Sequence, residues 1–296
     1  MVQEQSIIYS PAKINLGLKI LDKRKDNYHN IYTLFLKIKL FDEIIINFDN
    51  HLSLPKFESN INLAFDESNT LYKAYRLLKN DFDIPSNFYL YLNKKIPHGG
   101  GLGGGSSNAA YLINFFDRYF GLNLSMSQKV EYGKKIGMDV PYFFYKTPAI
   151  GIERGDILFP VDIIGIENYK ILLIFPKYNI STSDVYKSYN FSLTKSDFFI
   201  KIENLLKEEK RIVDFSCLAK IVENDLEKVV FKMYSELLDI KNFLYENKAV
   251  LSAMSGSGST MFGFFENVED IDRVLNNFPF KNCNFCVVEP FMEANN

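Results

Sequence analysis

Six glycines in seven positions, Gly99-Gly100-Gly101-Leu102-Gly103-Gly104-Gly105, lead straight into Ser106, Ser107, Asn108 and Ala109-Ala110. Ordering such a run is costly, because each glycine gives up roughly 0.5–1 kcal/mol more backbone entropy than alanine, about 3–6 kcal/mol in all. The offsetting gain is close approach of a ligand to a backbone that carries no side chains. Free N–H groups feeding the positive end of a helix make an anion site, and the commonest anion needing such a cradle is a polyphosphate. The bland alternative, a flexible linker, mixes Gly with Ser and leads to no element. Here Ser106 is a natural N-cap, and Ala109, Leu112, Ile113, Phe116 and Phe120 follow on one helical face. No Lys follows the last glycine as in a Walker A loop, and the acidic residue of a dinucleotide fingerprint is missing. Neither H-R-D nor D-F-G occurs, which excludes a protein-kinase-like fold.

Other residues of catalytic type lie far from this run. Lys13 and Asn15 stand two apart in a stretch whose alternation puts Lys13, Asn15, Gly17 and Lys19 on one face of a strand. Such a pair is either solvent-exposed or a cation held beside an amide for chemistry, and spacing alone does not choose. Asp139, in Met138-Asp139-Val140-Pro141, sits between a helix stop and an apolar run, where an acid serves either as a cap or as a general base. Tyr28-His29 follows the charged turn 22–27, and His29 is one of three histidines, a residue more often structural than catalytic when alone. Cys283-Asn284-Phe285-Cys286 spells C-x-x-C, but no second pair completes a zinc site and its alternation reads as a terminal strand.

These side chains need elements to carry them. Two strands punctuated by Pro11 are expected first, then a solvated hairpin tip at 22–27 and a β-rich run through 31–40 and 44–48. Leu71, Ala74, Tyr75 and Leu78 predict a helix over 69–80, capped by Ser68 or Asn69. A strand at 88–92 delivers Lys94 and Lys95 to the rim of the glycine loop, and a helix from about 127 to 136 stops at Gly137. The second half reads as a strand at 171–175, a cap at 181–184 before Val185-Tyr186, and polar helices over 195–220. One long helix then carries Leu226, Val229, Val230, Met233, Leu237, Ile240 and Leu244 as core. Strands at 250–254 and 261–265 flank a second glycine loop, Ser255-Gly256-Ser257-Gly258-Ser259, before a helix over 268–278 and a last strand at 285–288. That order predicts an α+β chain whose second domain is of ferredoxin-like type. Turn residues between 155 and 168 put the crossing there, so 1–158 and 159–296 are the expected domains.

Composition narrows the partners. The 296 residues, 47% hydrophobic and 24% charged, suit a folded two-domain chain, and a net charge of −2 gives no basic footprint for nucleic acid. Three cysteines, an odd number, suit a reducing compartment, and no leader or membrane-length apolar run is seen, so a cytoplasmic protein is expected. The many Phe and Tyr residues are read as a compositional bias.

Pro11-Ala12-Lys13-Ile14-Asn15-Leu16, the long glycine loop, the D-V-P turn at Asp139 and Ser255–Ser259 together resemble the galactokinase, homoserine kinase, mevalonate kinase and phosphomevalonate kinase superfamily. One glycine loop is weak evidence; four segments in the right order and separation, over essentially the whole chain, are strong. The resemblance implies a two-domain small-molecule kinase fold, a β-rich N-terminal domain with the glycine loop and helices, ATP as co-substrate and Mg2+. It is nearest to the branch acting on a cytidine-diphosphate-linked methylerythritol in non-mevalonate isoprenoid precursor synthesis.

By the same resemblance, Lys13 and Asp139 match the catalytic pair, Asp139 taking the proton of the substrate hydroxyl and Lys13 steadying charge on the γ-phosphoryl group. Asn69, Lys94, Gly99, Gly100, Gly101, Leu102, Gly103, Gly104, Gly105, Ser106, Ser107 and Asn108 match the ATP site, with Ser107 a candidate Mg2+ ligand. Asn15, Tyr28, His29, Thr182, Tyr186, Gly256, Ser257 and Gly258 match the acceptor site, where a Tyr-His pair and an aromatic suit a pyrimidine. The implied partners are these two small molecules, with no nucleic acid or membrane and a monomer or weak homodimer. Rival expectations are a kinase for mevalonate, homoserine or a sugar, which has no use for the Tyr-His pair, and a non-catalytic nucleotide-binding homologue, in which Lys13 or Asp139 would be lost. Asn27 replaces a usual glycine, His98 stands where a small or thioether residue is usual, and 151–155 is less glycine-rich than the pattern.

Overall fold

The computed structural model describes residues 5–190 and 195–293. Along the first half run β1 (Ser6–Lys23), β2 (His29–Phe48), β3 (Lys56–Ser59), α1 (Thr70–Phe82), β4 (Phe88–Asn93), α2 (Gly104–Phe120) and α3 (Met126–Ile136). After a 3-10 turn, Val140–Phe144, come β5 (Ala149–Ile152), β6 (Ile157–Pro160), β7 (Asp162–Ile164), β8 (Lys170–Pro176), α4 (Thr182–Ser188) and α5 (Asp197–Lys207). The last part holds β9 (Ile212–Asp214), α6 (Phe215–Leu218), α7 (Glu227–Met233), α8 (Ser235–Glu246), β10 (Leu251–Met254), β11 (Met261–Phe265), α9 (Val268–Asn277) and β12 (Cys283–Val288).

The chain forms two compact units that interleave in sequence: 1–12, 40–98 and 103–145 make the first, and 13–39, 99–102 and 146–296 the second. In the first, β4 pairs antiparallel with the distal part of β2, Glu43–Phe48 facing Asn93–Phe88, and β3 runs parallel along β4. The apolar stripe of α1 (Leu71, Ala74, Tyr75, Leu78) and that of α2 (Leu112, Ile113, Phe116) are fully buried. The Phe88 ring of β4 meets Phe116 edge-on at 5.9 Å. Burial of such stripes, more than intrinsic propensity, is what holds helices of this length.

In the second unit the near part of β2 pairs with β5, Thr33 opposite Gly151, and β5 turns back into β6. A four-stranded sheet of order β10-β11-β8-β12, antiparallel throughout, follows. Numbered within this sheet the order is 4-1-3-2, the split βαβ arrangement of a ferredoxin-like fold, as expected from the sequence. Its core gathers Leu172 and Ile174 of β8, Leu226, Val230, Leu237, Ile240 and Leu244 of the helical region, and Met254, Met261 and Phe265 of the sheet.

Several local expectations are corrected. Pro11 does not divide β1, which runs unbroken over 18 residues; β1 pairs with β2, and a strand partnered along one edge leaves alternate N–H positions where proline costs nothing. The long helix from Leu226 is two, because Tyr234 takes φ −138°, ψ 77° between α7 and α8. Ser106 does not cap α2: the helix begins three residues earlier in effect, at a cap on Gly103 with φ 67°. Asn27 adopts the left-handed φ of 67° that the usual glycine would supply, and Glu153, in the glycine-poor stretch, does the same at 56°.

Candidate active site

The first unit carries Asn69, Lys94, Gly103, Gly104, Gly105, Ser106, Ser107, Asn108 and Asp139. Gly103 caps α2 without a side chain, so the N–H groups of the first helical turn have no partner within the helix. Lys94 lies against this end: a Cβ on Gly104 would come within 2.7 Å of its Nζ. The lysine is held by Asp42, a fully buried carboxylate that accepts from Lys94 Nζ and from the backbone N–H groups of Lys95 and Ile96, each 2.8 Å. Asp42 sits 52 residues away in sequence, and sequence spacing gave no signal for it. Thr70 Oγ1, in the first turn of α1, donates to Gly105 O at 2.6 Å and ties the two helix starts together. Asn69 has its polar atoms in local use, Oδ1 accepting from Leu71 N and Nδ2 donating to Ala64 O. Asn108 is buried and accepts from Ser10 Oγ at 2.6 Å.

Two residues of this unit bear on the two roles left open by the sequence. The Ser107 hydroxyl is fully buried and has no hydrogen-bond partner among the described residues, an arrangement costing roughly 1–3 kcal/mol unless a ligand supplies the partner. Asp139 begins the 3-10 turn, with Pro141 in its first positions, and its carboxylate makes no capping bond there. Of the two roles open from sequence, the cap is therefore removed.

The second unit carries Lys13, Asn15, Tyr28, His29, Gly99, Gly100, Gly101, Leu102, Thr182, Tyr186, Gly256, Ser257 and Gly258. Lys13 and Asn15 are buried, 3% and 5% exposed, so the solvent-facing alternative for their strand face fails. Lys13 Nζ donates to Asn15 Oδ1 at 2.6 Å and lies 5.4 Å from the centre of the Phe35 ring. Asn15 Nδ2 donates to Thr33 Oγ1 at 2.7 Å, and its backbone N donates to Ser255 Oγ at 3.2 Å. Ser255 Oγ in turn donates to Gly101 O at 3.0 Å, and Lys13 N donates to Leu102 O at 2.9 Å.

These bonds set the direction of the glycine loop. In a planar trans peptide C=O and the next N–H point opposite ways. With the carbonyls of Gly101, Leu102 and Gly105 tied to Ser255, Lys13 and Thr70, the N–H groups that follow them are turned away from those partners. Gly101 must be glycine twice over: φ is +75°, and a Cβ would fall 2.4 Å from Ser255 O.

Acceptor-side residues are linked through the second loop. Asn224, another residue without a sequence signal, donates from Nδ2 to Met254 O and Gly256 O at 2.9 and 2.8 Å. Ser257 Oγ and Thr182 Oγ1 lie 2.7 Å apart, Thr182 opens α4, and Tyr186 on α4 stacks on His29 with ring centres 5.2 Å apart. Burial, helped by Lys23 and opposed by Asp22, holds the His29 imidazole below its usual range. It is therefore neutral at pH 7, offering one donor and one acceptor. Tyr28 is half exposed, with the Arg154 guanidinium 5.6 Å from its ring centre.

Comparison with known proteins gives this geometry a context. Family models for the GHMP kinases match in two places, the N-terminal domain over residues 69–147 and the C-terminal domain over 202–283. The 4-diphosphocytidyl-2-C-methyl-D-erythritol kinase of Bacteroides fragilis is 37% identical over 271 residues, covering 90% of this chain and 95% of its own. That of Syntrophus aciditrophicus is 36% identical over 263 residues, 88% and 90% of the two chains. Among solved structures, a 4-(cytidine 5'-diphospho)-2C-methyl-D-erythritol kinase superposes with TM-score 0.75 at 24% identity, over 96% of this chain and 99% of that one. Methanococcus jannaschii mevalonate kinase gives 0.73 at 15% identity over 98% and 99%, a likeness of fold.

Proposed function

The chain belongs to the GHMP kinase family, and we propose that it transfers the γ-phosphoryl group of ATP to the 2-hydroxyl of 4-diphosphocytidyl-2-C-methyl-D-erythritol, a step in non-mevalonate isoprenoid precursor synthesis. The observation that carries the donor half is the glycine loop, whose Gly101, Leu102 and Gly105 carbonyls are bound to protein and which opens the N-terminus of α2 at left-handed Gly103. Its N–H groups, with Lys94 beside the helix start, are assigned to the triphosphate. The acceptor half is supported by the neutral His29 stacked with Tyr186, chemistry suited to a cytosine ring and without use for mevalonate or homoserine.

Phosphoryl transfer through a loose transition state asks for positioning and charge stabilisation rather than covalent help. We assign Asp139 to the proton of the attacking hydroxyl and Lys13, held through Asn15, to charge on the transferred group. The orphaned hydroxyl of Ser107 fits a Mg2+ ligand, since a cation is a partner that a buried lone pair can serve. When bound, Mg2+ neutralises charge shared by the β- and γ-phosphates. By function, 1–158 is assigned to ATP and catalysis and 159–296 to the acceptor, a division distinct from the interleaved compact units. No helix among the described residues is long and apolar enough to cross a membrane. We place the enzyme in the cytoplasm as a monomer or weak homodimer.

ADP release from ATP, measured with the cytidine-linked methylerythritol, mevalonate, phosphomevalonate and homoserine in parallel, tests the assignment. Turnover is expected with the first alone. Phosphorylation of mevalonate alone would overturn the acceptor, and no ADP with any alcohol would favour a non-catalytic homologue.

A further inference from the structure

We propose that Thr33 is a positioning residue for the transfer, setting through Asn15 the direction in which Lys13 is held. It rests on the assignment of Lys13 to the transferred group. The bonds allow only one polarity. The carbonyl of Gly17 can only accept, so the Thr33 hydroxyl, 2.9 Å away, donates to it. The lone pairs of Thr33 Oγ1 then face Asn15 at 2.7 Å, where they require a donor, the amide nitrogen. That fixes the amide: Oδ1 is left facing Lys13 Nζ at 2.6 Å. The flipped amide would set NH2 against an ammonium and leave Thr33 without its donor.

The fold enforces this direction. Thr33 is 0% exposed and Asn15 5%, so water is excluded from competing for their polar groups. Thr33 is β-branched, with few rotamers, and its methyl is seated opposite Gly151 on β5, where a Cβ would come 3.1 Å from Thr33 Cγ2. At Gly17 a Cβ would lie 2.4 Å from the Phe198 ring, so the carbonyl that starts the relay is packed in place as well.

Two substitutions separate hydroxyl from shape. Thr33→Val keeps the volume and removes the relay; Thr33→Ser keeps the relay and removes a methyl. In the full-length enzyme with ATP and the cytidine-linked acceptor, Thr33→Val is expected to lower kcat about 10-fold or more with KM for ATP within about 2-fold, and Thr33→Ser to keep at least about a third of the parental kcat. A second readout needs no turnover: the side-chain amide protons of Asn15 in 15N-labelled protein, assigned by their loss in Asn15→Asp, should shift in Thr33→Val and hold in Thr33→Ser. Parental kcat in Thr33→Val, unmoved Asn15 resonances in that variant, or a Thr33→Ser as impaired as Thr33→Val would each overturn the proposal. If Thr33→Val does not fold, the Ser variant still decides, a 10-fold loss in it overturning the role. A parent inactive on the cytidine-linked acceptor would sink the proposed function instead, and the Asn15 resonances alone would then settle Thr33.

Discussion

Gly99–Gly105 opens onto the 17-residue helix α2, whereas Ser255–Ser259 joins two antiparallel strands, β10 and β11. The first loop is half open to solvent, Gly99 exposed and Gly101, Gly103 and Gly105 partly so, while the second is buried at every position. In the second, Ser255 N donates to Thr260 O and Gly258 N to Ser255 O, and Asn224 takes up the carbonyls of Met254 and Gly256. The second loop thus closes its hydrogen bonds on itself and on its own unit. The first gives the carbonyls of Gly101, Leu102 and Gly105 to Ser255, Lys13 and Thr70, and its last glycines open α2. Glycine content therefore says that a backbone must pass closely by something; the element that follows separates a loop proposed to cradle an anion from one that joins two strands. The second loop works instead as a clamp, locating Asn15 through Ser255 and α4 through Thr182.

If the first loop cradles and Asp139 takes the proton, the two contributions come apart on mutation. Asp139→Asn should lower kcat by about 10²–10⁴, the range of a lost general base, with ATP affinity near the parent's by titration. Unchanged turnover would end that assignment. Next in size is Gly101→Ala, which strains both loops at once: its Cβ meets Ser255 O at 2.4 Å as well as adopting φ +75°. Gly99 has the same φ but open space around its Cβ. Gly99→Ala should cost about 1–2 kcal/mol of stability, the left-handed penalty alone, and Gly101→Ala more than that, in denaturant titrations. Equal losses would mean that the close approach of the loops contributes nothing. On the acceptor side, Tyr186→Ala should raise KM for the cytidine-linked substrate about 10-fold, from lost stacking, and leave KM for ATP alone. An equal rise in both would show that the clamp does not separate acceptor from donor.

Helices with periodic stripes were legible because one face must be buried, and Asn69 and Ser181 announce their starts as caps, whereas the capping box at Ser125 that starts α3 was not read. The ferredoxin-like order was legible from the succession of elements. What failed did so for local reasons: Ser106 is a better cap by type than Gly103, but left-handed glycine takes the turn earlier, and nothing in the spacing marks Tyr234 as a break. The face holding Lys13 and Asn15 alternates like a wetted strand, yet it is buried, because each polar group finds its partner in another. Thr33 lies 18 residues from Asn15, Asp42 52 from Lys94, and Ser255 240 from Asn15. Such partners have no pattern along the chain; only the fold brings them together.

The smallest effect concerns pH, and it belongs to the clamped side alone. His29 is disfavoured as a cation by burial first and by Lys23 second, against the pull of Asp22, so its folded-state pKa lies below the ordinary 6.5. As pH falls, the unfolded imidazole takes its proton first, so the unfolded state binds more protons and stability drops below pH 6.5, while above it the contribution of His29 is fully present. The parent should therefore lose stability relative to His29→Gln between pH 7.5 and 5.5 in paired denaturant titrations. KM for the cytidine-linked substrate should stay level from pH 8 to about 6.5, where the imidazole remains neutral, and rise only below that. KM for ATP should not follow, because the loop that is proposed to hold it offers backbone N–H groups, which do not titrate. A rise in the acceptor KM already between pH 8 and 7 would mean that His29 is a cation at neutral pH, and its stacking with Tyr186 would then have to be explained as a cation on a ring rather than as a neutral platform for a base.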